Sequence, residues 1–328
     1  MAERSDPIIK FGILGCNSVA RLCRAISSAP SATLHAIAGH SLDEATSCAL
    51  GNGFTAKLYG SYEELLGDRE VEAVYVPLPT SLHARWAAEA ARRGKHVLVE
   101  KPPALDAEAL GEIIAACEGS GMHATFTFNA SPNFLENDVR VKPDLDALGA
   151  LGDAGWYCIR SILWATDYKL PKTVTALPGI VFNEAGVIMS CGASLHFEDD
   201  LVSTFRCSFL SHLTMDIIAN GSKGSLHVYD YALPFQETQA SYYTNSRAWF
   251  LGGLAGWGPA PVEHTVTTDL PQVVLMVEEF CRLVRGIKRD GLKPEAKWPA
   301  ISMKTQLVLD KVKLSIERGY VPVEVLDG

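Results

Sequence analysis

No stretch of this 328-residue chain offers the roughly 18 uninterrupted apolar residues that a membrane-spanning helix needs. The opening residues, Met1-Ala2-Glu3-Arg4-Ser5-Asp6-Pro7, are polar and lead straight into a strand, with no apolar leader. Membrane insertion and secretion are therefore not expected, and a cytoplasmic location is. Basic clusters are missing too: 38 acidic residues against 29 basic give a net charge of −9, and no run of Lys and Arg accumulates with aromatics between. That argues against nucleic acid as a partner. Eight cysteines, at positions 16, 23, 48, 117, 158, 191, 207 and 281, contain no Cys-x-x-Cys pair and sit in apolar segments. They read as reduced core thiols, neither zinc ligands nor a disulfide framework. No group of His, Cys, Asp or Glu has metal-ligand spacing, so no metal is expected, and neither a repeat nor a low-complexity linker interrupts the chain.

What is present is a composition with 48% hydrophobic and 20% charged residues, which suits a folded protein, and a length that favours two domains over one core. The first 120 residues or so alternate short apolar runs with helical patterns, the signature of βαβ units and a parallel sheet. Strands are expected over Ile8 to Leu14, Thr33 to Ala38, Ala73 to Pro77 and His96 to Val99. Helices are expected over Val19 to Ser28, Asp43 to Leu50, Ser81 to Arg93 and Asp106 to Gly119. Beyond Met122 the texture changes to alternating strands, Ala124 to Asn129, Val187 to Phe197, Leu201 to Ser211, Thr214 to Asn220 and Ser225 to Tyr229, with helices at Gly152 to Ala165, Gln272 to Lys288 and Ile301 to Arg318. A boundary near residue 121 divides the halves, and the second half's sheet reads as polar on neither face.

The first strand runs into Gly15-Cys16-Asn17-Ser18-Val19-Ala20 and a helix follows at once. A dinucleotide pyrophosphate suits this turn: Gly15 permits the bend, the free N–H groups of the next helical turn face the phosphates, and small Ala20 lets the helix pack close. The middle glycine of G-x-G-x-x-G is replaced by Asn17, and any tight strand-to-helix turn can produce the remaining pattern. The second strand ends in Ala38-Gly39-His40-Ser41, with no acid at its tip. A carboxylate there would favour NAD; without one, Gly39, His40 and Ser41 favour the 2′-phosphate of NADP(H), while a solvated loop is the plain alternative for His40. Two further loops, Val76-Pro77-Leu78-Pro79-Thr80-Ser81-Leu82-His83 and Val99-Glu100-Lys101-Pro102-Pro103, lie at carboxyl ends of parallel strands, where open α/β sheets bind ligands. Asp153 and Tyr157, four residues apart at a helix start, project from one face. Read without function, they are a helix cap and a half-buried aromatic. His196, His212 and His264 fall in strands or loops of the second half; His196 alternates with apolar neighbours and reads as a hydrogen-bonded structural histidine, with a place in the cleft as the alternative.

The run Gly94-Lys95-His96-Val97-Leu98-Val99-Glu100-Lys101-Pro102, preceded by Pro79-Thr80-Ser81-Leu82-His83, resembles the Gfo/Idh/MocA family, which includes NADP-dependent D-xylose dehydrogenases and dimeric dihydrodiol dehydrogenases. Asp144-Leu145-Asp146-Ala147-Leu148-Gly149 and Gly291-Leu292-Lys293-Pro294 extend the similarity, which is closest to plant members. The resemblance implies an α/β Rossmann domain over residues 1–121, followed by an α+β domain over 122–328 with an open, mostly antiparallel sheet through which a homodimer forms. It implies hydride transfer between NADP(H), with NAD(H) as the alternative, and a small sugar, polyol, cyclic diol or related carbonyl. By the same resemblance Lys101 moves a proton beside the nicotinamide with Glu100 in support. His83 and the loop Pro77, Leu78, Pro79 and Thr80 line the nicotinamide ribose, and residues 15 to 20 hold the pyrophosphate. Tyr157 acts as acid/base with Asp153 orienting it.

The sequence departs from that family at one place. In relatives a strand, a loop and a helix separate the helix over Asp106 to Gly119 from the first strand of the second domain, whereas here Cys117-Glu118-Gly119-Ser120-Gly121-Met122-His123 leads directly to Ala124. A deletion after residue 121 would leave a sheet edge bare and the substrate pocket open. It keeps alternatives in play: a non-redox member of the family, such as a cofactor-bound regulator, lyase or cyclase, or a scaffold with no nucleotide affinity.

Overall fold

A computed structural model describes residues 8–16, 19–101, 123–198, 201–221, 224–245, 249–252 and 256–326. The chain forms two compact units, and the division is discontinuous: Leu270–Glu295 joins the residues up to Pro103, while the second unit takes Ala104–Asp269 and Ala296–Gly328. The boundary expected near residue 121 lies outside the described residues, whereas the segment Leu270–Glu295, expected in the second half, belongs to the first unit. Helix Gln272–Asp290, read from sequence as part of the second half, buries Val274, Val277, Cys281 and Val284 against Ile9, Phe11, Leu22, Ile26 and Leu34 of the first unit. Its 3.6-residue stripe announces only that it needs an apolar partner, not which one.

The first unit contains β1 (Ile9–Leu14), α1 (Ala20–Ser28), β2 (Ala32–Ala38), α2 (Leu42–Asn52), β3 (Lys57–Tyr59), α3 (Tyr62–Gly67), β4 (Ala73–Val76), α4 (Thr80–Arg92) and β5 (His96–Val99). The strands are parallel in the order β3-β2-β1-β4-β5. β1 and β4 lack alternation because both faces are covered, and nearly all their side chains are buried. The order reverses between β1 and β4, which places the ligand crevice of such sheets beyond the carboxyl ends of these two strands. β3 and α3 are three and six residues long, too short for periodicity to reveal. Gly12 is fixed by packing: a Cβ there would lie 2.6 Å from Leu65 Cδ2 of α3. The helix expected over Asp106 to Gly119 lies outside the described residues.

The second unit is built on β6 (His123–Asn129), β7 (Thr173–Ala176), β8 (Val181–Phe182), β9 (Ile188–His196), β10 (Val202–Ser208), β11 (Leu210–Gly221), β12 (Gly224–Val228), β13 (Gln239–Asn245), β16 (Val262–Thr267) and β17 (Val323–Glu324), with β14 (Trp249–Gly252) and β15 (Gly256–Gly258) as a separate pair. The order is β16-β13-β12-β11-β6-β10-β9-β7-β17 with β8 on β9, and every pair is antiparallel except β6 with β10. β6 therefore belongs to this sheet and does not extend the parallel one. Alternate residues Phe126, Phe205, Cys207, Met189 and Leu195 pack with Ile159, Ile162 and Leu163 of helix Trp156–Ala165 and Val308, Leu309 and Val312 of helix Lys297–Glu317. The intervening residues are polar: His123 binds Thr204 (2.6 Å) and Thr125 (3.0 Å), and Ser194 binds His196 (3.0 Å). This corrects the expectation of a sheet polar on neither face; short Thr and Ser side chains score as neutral in sequence, yet here they line one side together.

Candidate active site

In the first unit the residues from five loops converge on the carboxyl ends of the strands. Gly15 takes φ +110°, a conformation costly for any residue with a Cβ, and its N–H donates to Ala38 O (2.8 Å). A Cβ on Gly15 would stand 2.9 Å from Leu78 Cδ2 and 3.7 Å from Tyr62 Oη, so the turn is pressed onto the β4–α4 loop and α3. Val19, buried, precedes α1, which begins at Ala20 without a side-chain cap and without an acid in its first turn. Its first N–H groups are thus suited to an anionic ligand. Cys16 is half-buried, and burial followed by the neighbouring Cys48 pushes its thiol up to about 12, so it is a neutral wall of the turn. Asn17 and Ser18 lie outside the described residues.

At the tip of β2, Gly39 is packed so that a Cβ would sit 3.0 Å from Ala45 N. Ser41 Oγ caps α2 by accepting from Glu44 N–H (3.2 Å), and the Glu44 carboxylate reaches back to accept from His40 N–H (2.7 Å), a variant of the capping box shifted by one residue. His40 Nε2 lies 3.2 Å from Tyr62 Oη. Pro77 is half-buried, Leu78 is buried, Pro79 stands as N-cap of α4, and Thr80 and His83 of that helix's first turn are buried. Glu100 is held from both sides: Tyr75 Oη donates to Oε1 (2.6 Å) and Lys101 N–H donates to Oε2 (3.0 Å). Lys101 is half-buried at the end of β5. Tyr75 and Glu44 are neighbours of the candidate residues that sequence reasoning missed; the Ser-x-x-Glu spacing is a readable signal for Glu44, while nothing local points to Tyr75.

In the second unit Asp153 lies in a π-helical turn, Leu151–Gly155, that feeds directly into helix Trp156–Ala165. Such turns recur at functional sites. Gly152 and Gly155 make it possible, since Cβ atoms there would meet Leu148 Cβ at 2.5 Å and Cys207 Sγ at 3.2 Å. The Asp153 carboxylate is 3.2 Å from Arg140 Nε, and Arg140 also binds Asp138 (3.0 Å). Burial alone would lower the Arg140 guanidinium, but Asp153 and Asp138 hold it above its ordinary range. Asp153 is therefore an ion-pair partner, not an N-cap. Tyr157, half-buried, packs edge-on to Phe126 (5.5 Å). Arg160 and Trp164 continue the same helix face by spacing; the Arg160 Nη1 is buried without a hydrogen-bond partner, and Trp164 is 66% exposed.

His196 is bound to Ser194 and His264 Nε2 to Thr244 Oγ1 (2.8 Å), as structural histidines are; His212 meets only its neighbour's carbonyl, Leu213 O, at 3.3 Å. One cluster with metal-compatible donors was not visible in sequence: His35, Asp68 and Glu70 bring ligand atoms within 4.8 Å of one another. Lys57 Nζ already lies 3.1 Å from Asp68 and 3.0 Å from Glu70, and Lys10 Nζ 2.7 Å from Glu70, so ammonium groups neutralise it.

A glycine turn ahead of an uncapped helix at the reversal point of a parallel sheet, coupled to a second α+β unit, is the architecture of a dinucleotide-binding oxidoreductase. Comparison with known proteins makes this specific. Residues 9–128 match the family model described as an oxidoreductase family with an NAD-binding Rossmann fold, and residues 104–227 match the GFO/IDH/MocA C-terminal domain. This chain belongs to the Gfo/Idh/MocA oxidoreductase family. It is 44% identical to an uncharacterized oxidoreductase, ORF334, of Rhizobium meliloti over 95% of this chain and 98% of that protein. It is 33% identical to a D-xylose 1-dehydrogenase (NADP(+)) of Haloferax volcanii over 61% of this chain and 69% of that one. Among solved structures, a 3-ketoreductase from Actinomadura kijaniata in complex with NADP and TDP-benzene superposes with a TM-score of 0.76 at 21% identity, over 94% of this chain and 98% of that chain. Levoglucosan dehydrogenase, in complex with NADH and L-sorbose, gives 0.74 at 16% identity over 98% and 100%.

Proposed function

We propose that this protein transfers hydride between NADP(H) and a small sugar, polyol or cyclic diol. The observation that carries the reading is the Gly15 turn: it is a cradle that a Cβ would fill, set before the N-terminus of α1, which no side chain caps among the described residues, at the sheet's reversal point. The residues fit a dinucleotide, with residues 15 to 20 at the pyrophosphate, the tip of β2 at the adenine ribose, and the Pro77–Thr80 loop with His83 at the nicotinamide ribose. When bound, the nicotinamide supplies or accepts the hydride. Lys101 and Tyr157 handle the proton of the reacting oxygen. Glu100, clamped by Tyr75, fixes the backbone that carries Lys101, and Asp153, paired with Arg140, fixes the turn that presents Tyr157. Relatives of the chain include proteins named for NADP and for xylose, deoxysugar and dihydrodiol substrates, which supports the substrate class.

The polar face of the second unit's sheet is proposed as a homodimer contact, and free thiols at all seven described cysteines favour a cytoplasmic location. No helix among the described residues is long and apolar enough to cross a membrane. The test is direct: nucleotide fluorescence should report NADPH binding, and Lys101→Met should bind NADPH as before while losing turnover by about 100-fold or more on the best substrate of an alcohol and aldehyde panel. Unchanged turnover in that variant removes the lysine from the mechanism.

A second reading, a family member with altered or non-redox chemistry, is favoured by one observation. The match to ORF334 extends over 351 residues, more than this chain's 328, so gaps fall within this chain, and among the described residues β5 ends the parallel sheet. A deletion of the unit that follows in relatives accounts for both. NADPH binding without oxidation or reduction of any panel member would select this reading.

A further inference from the structure

The tip of β2 differs from what its sequence suggests. Two side chains there, His40 and Ser41, suit a 2′-phosphate, and no acid stands among them. In the folded chain Ser41 Oγ is occupied as the cap of α2, and the Glu44 carboxylate is brought back to within 2.7 Å of His40 N. A negative charge has returned to the place where a cofactor's 2′-substituent is read, and one titratable ring remains to oppose it. Among the described residues no lysine or arginine forms an ion pair with Glu44: its carboxylate accepts from His40 N–H, and its own backbone N–H donates to Ser41 Oγ.

The surroundings of the ring are defined. His40 is exposed and tilts against Tyr62, with ring centroids 5.1 Å apart and Nε2 3.2 Å from the phenol oxygen. Burial first, then Glu44 and Cys16, push the Tyr62 phenol up to about 12. Tyr62 therefore stays protonated at physiological pH and can donate to Nε2 of a neutral ring, leaving the Nδ1 proton to point elsewhere. The groups facing His40 are thus Glu44 from α2 and Tyr62 from α3, with the neutral Cys16 thiol beside Tyr62.

We infer that His40 is the residue that distinguishes NADP(H) from NAD(H), and that it does so in its cationic form alone, so that the cofactor preference of this protein is set by pH. The inference rests on the dinucleotide reading above. A neutral imidazole offers one hydrogen bond to a 2′-phosphate but no charge, and Glu44 then repels a group that carries close to two negative charges above pH 6 or so. A protonated imidazole supplies the missing cation. Imidazoles change charge between pH 5 and 8, whereas an arginine, the usual reader of a 2′-phosphate, never does. Binding of NADPH is then linked to uptake of one proton, and binding of NADH is not.

The test is the ratio of NADPH to NADH affinity, measured by nucleotide fluorescence on the full chain at pH 6, 7 and 8. In the wild type the preference for NADPH should fall as the pH rises from 6 to 8, by up to about tenfold per pH unit for a one-proton linkage. His40→Arg should bind NADPH preferentially at every pH. His40→Ala should show low preference and only the dependence that ionisation of the phosphate itself contributes. Glu44→Gln, which keeps the capping box, should raise NADPH affinity at every pH. A wild-type ratio that is flat with pH, or a His40→Ala profile that superimposes on the wild type, overturns the inference while leaving the dinucleotide site standing. Failure of both nucleotides to bind at any pH overturns that site and this inference together.

Discussion

Replacing Gly15 by alanine perturbs the site at the point where backbone geometry matters most. At φ +110° a residue with a Cβ pays about 1–3 kcal/mol in backbone strain. The new methyl would also lie 2.9 Å from Leu78 Cδ2, inside contact distance, so Leu78 must turn away from a buried position. The two effects together give a loss of roughly 2–4 kcal/mol, read by urea unfolding. Gly51→Ala is the matched control. Gly51 lies in α2, has no heavy atom within 4 Å of its would-be Cβ and keeps an ordinary helical φ, so alanine there should raise stability by about 0.5 kcal/mol. At temperatures where both variants are folded, Gly15→Ala should also weaken NADPH binding at least tenfold and Gly51→Ala should not. If Gly15→Ala unfolds at the wild-type urea concentration and binds NADPH normally, the description of this turn as a strained phosphate cradle is wrong.

Two arginines of the second unit should respond in opposite senses. Arg140→Met removes the guanidinium shared by Asp138 and Asp153 and should cost about 1–3 kcal/mol, whereas Arg160, lowered by burial and with Nη1 lacking a partner, should tolerate methionine with no loss or a gain of about 1 kcal/mol; thermal unfolding separates them. Asp68 is subject to burial, which would raise its pKa, but the Glu70 N–H, Tyr59, Lys57 and His35 outweigh this and hold the carboxyl well below its usual range. A depressed folded-state pKa stabilises above the unfolded value near 4 and loses that stability as pH falls through the folded one. Asp68→Asn should accordingly lower stability by about 1–3 kcal/mol at pH 7 and flatten the decline between pH 5 and pH 2, measured by unfolding across that range.

Much of this protein was legible before folding because the signals are local. Parallel strands covered on both faces read as unbroken apolar runs, which is why β1 and β4 lie where the sequence places them, and the glycine turn and the Glu100-Lys101 pair sit at strand ends by chain order alone. The spacing of four between Asp153 and Tyr157 is likewise a local signal, although the π-helical turn beneath Asp153 is not, since its cause is the close packing of Gly152 and Gly155 against Leu148 and Cys207.

What the tertiary structure alone decided are pairings between residues far apart in the chain or bent back upon it. Apolar periodicity told helix Gln272–Asp290 to bury one face, and only packing chose the first unit as its partner. Tyr75 reached Glu100 because β4 and β5 are neighbours in register, Arg140 met Asp153 from a separate segment of the chain, and Glu44 folded back to His40 because a helix N-terminus needs acceptors. Composition and spacing set which elements form; the electrostatic surroundings of each candidate group depend on distances of a few ångströms that no local pattern encodes.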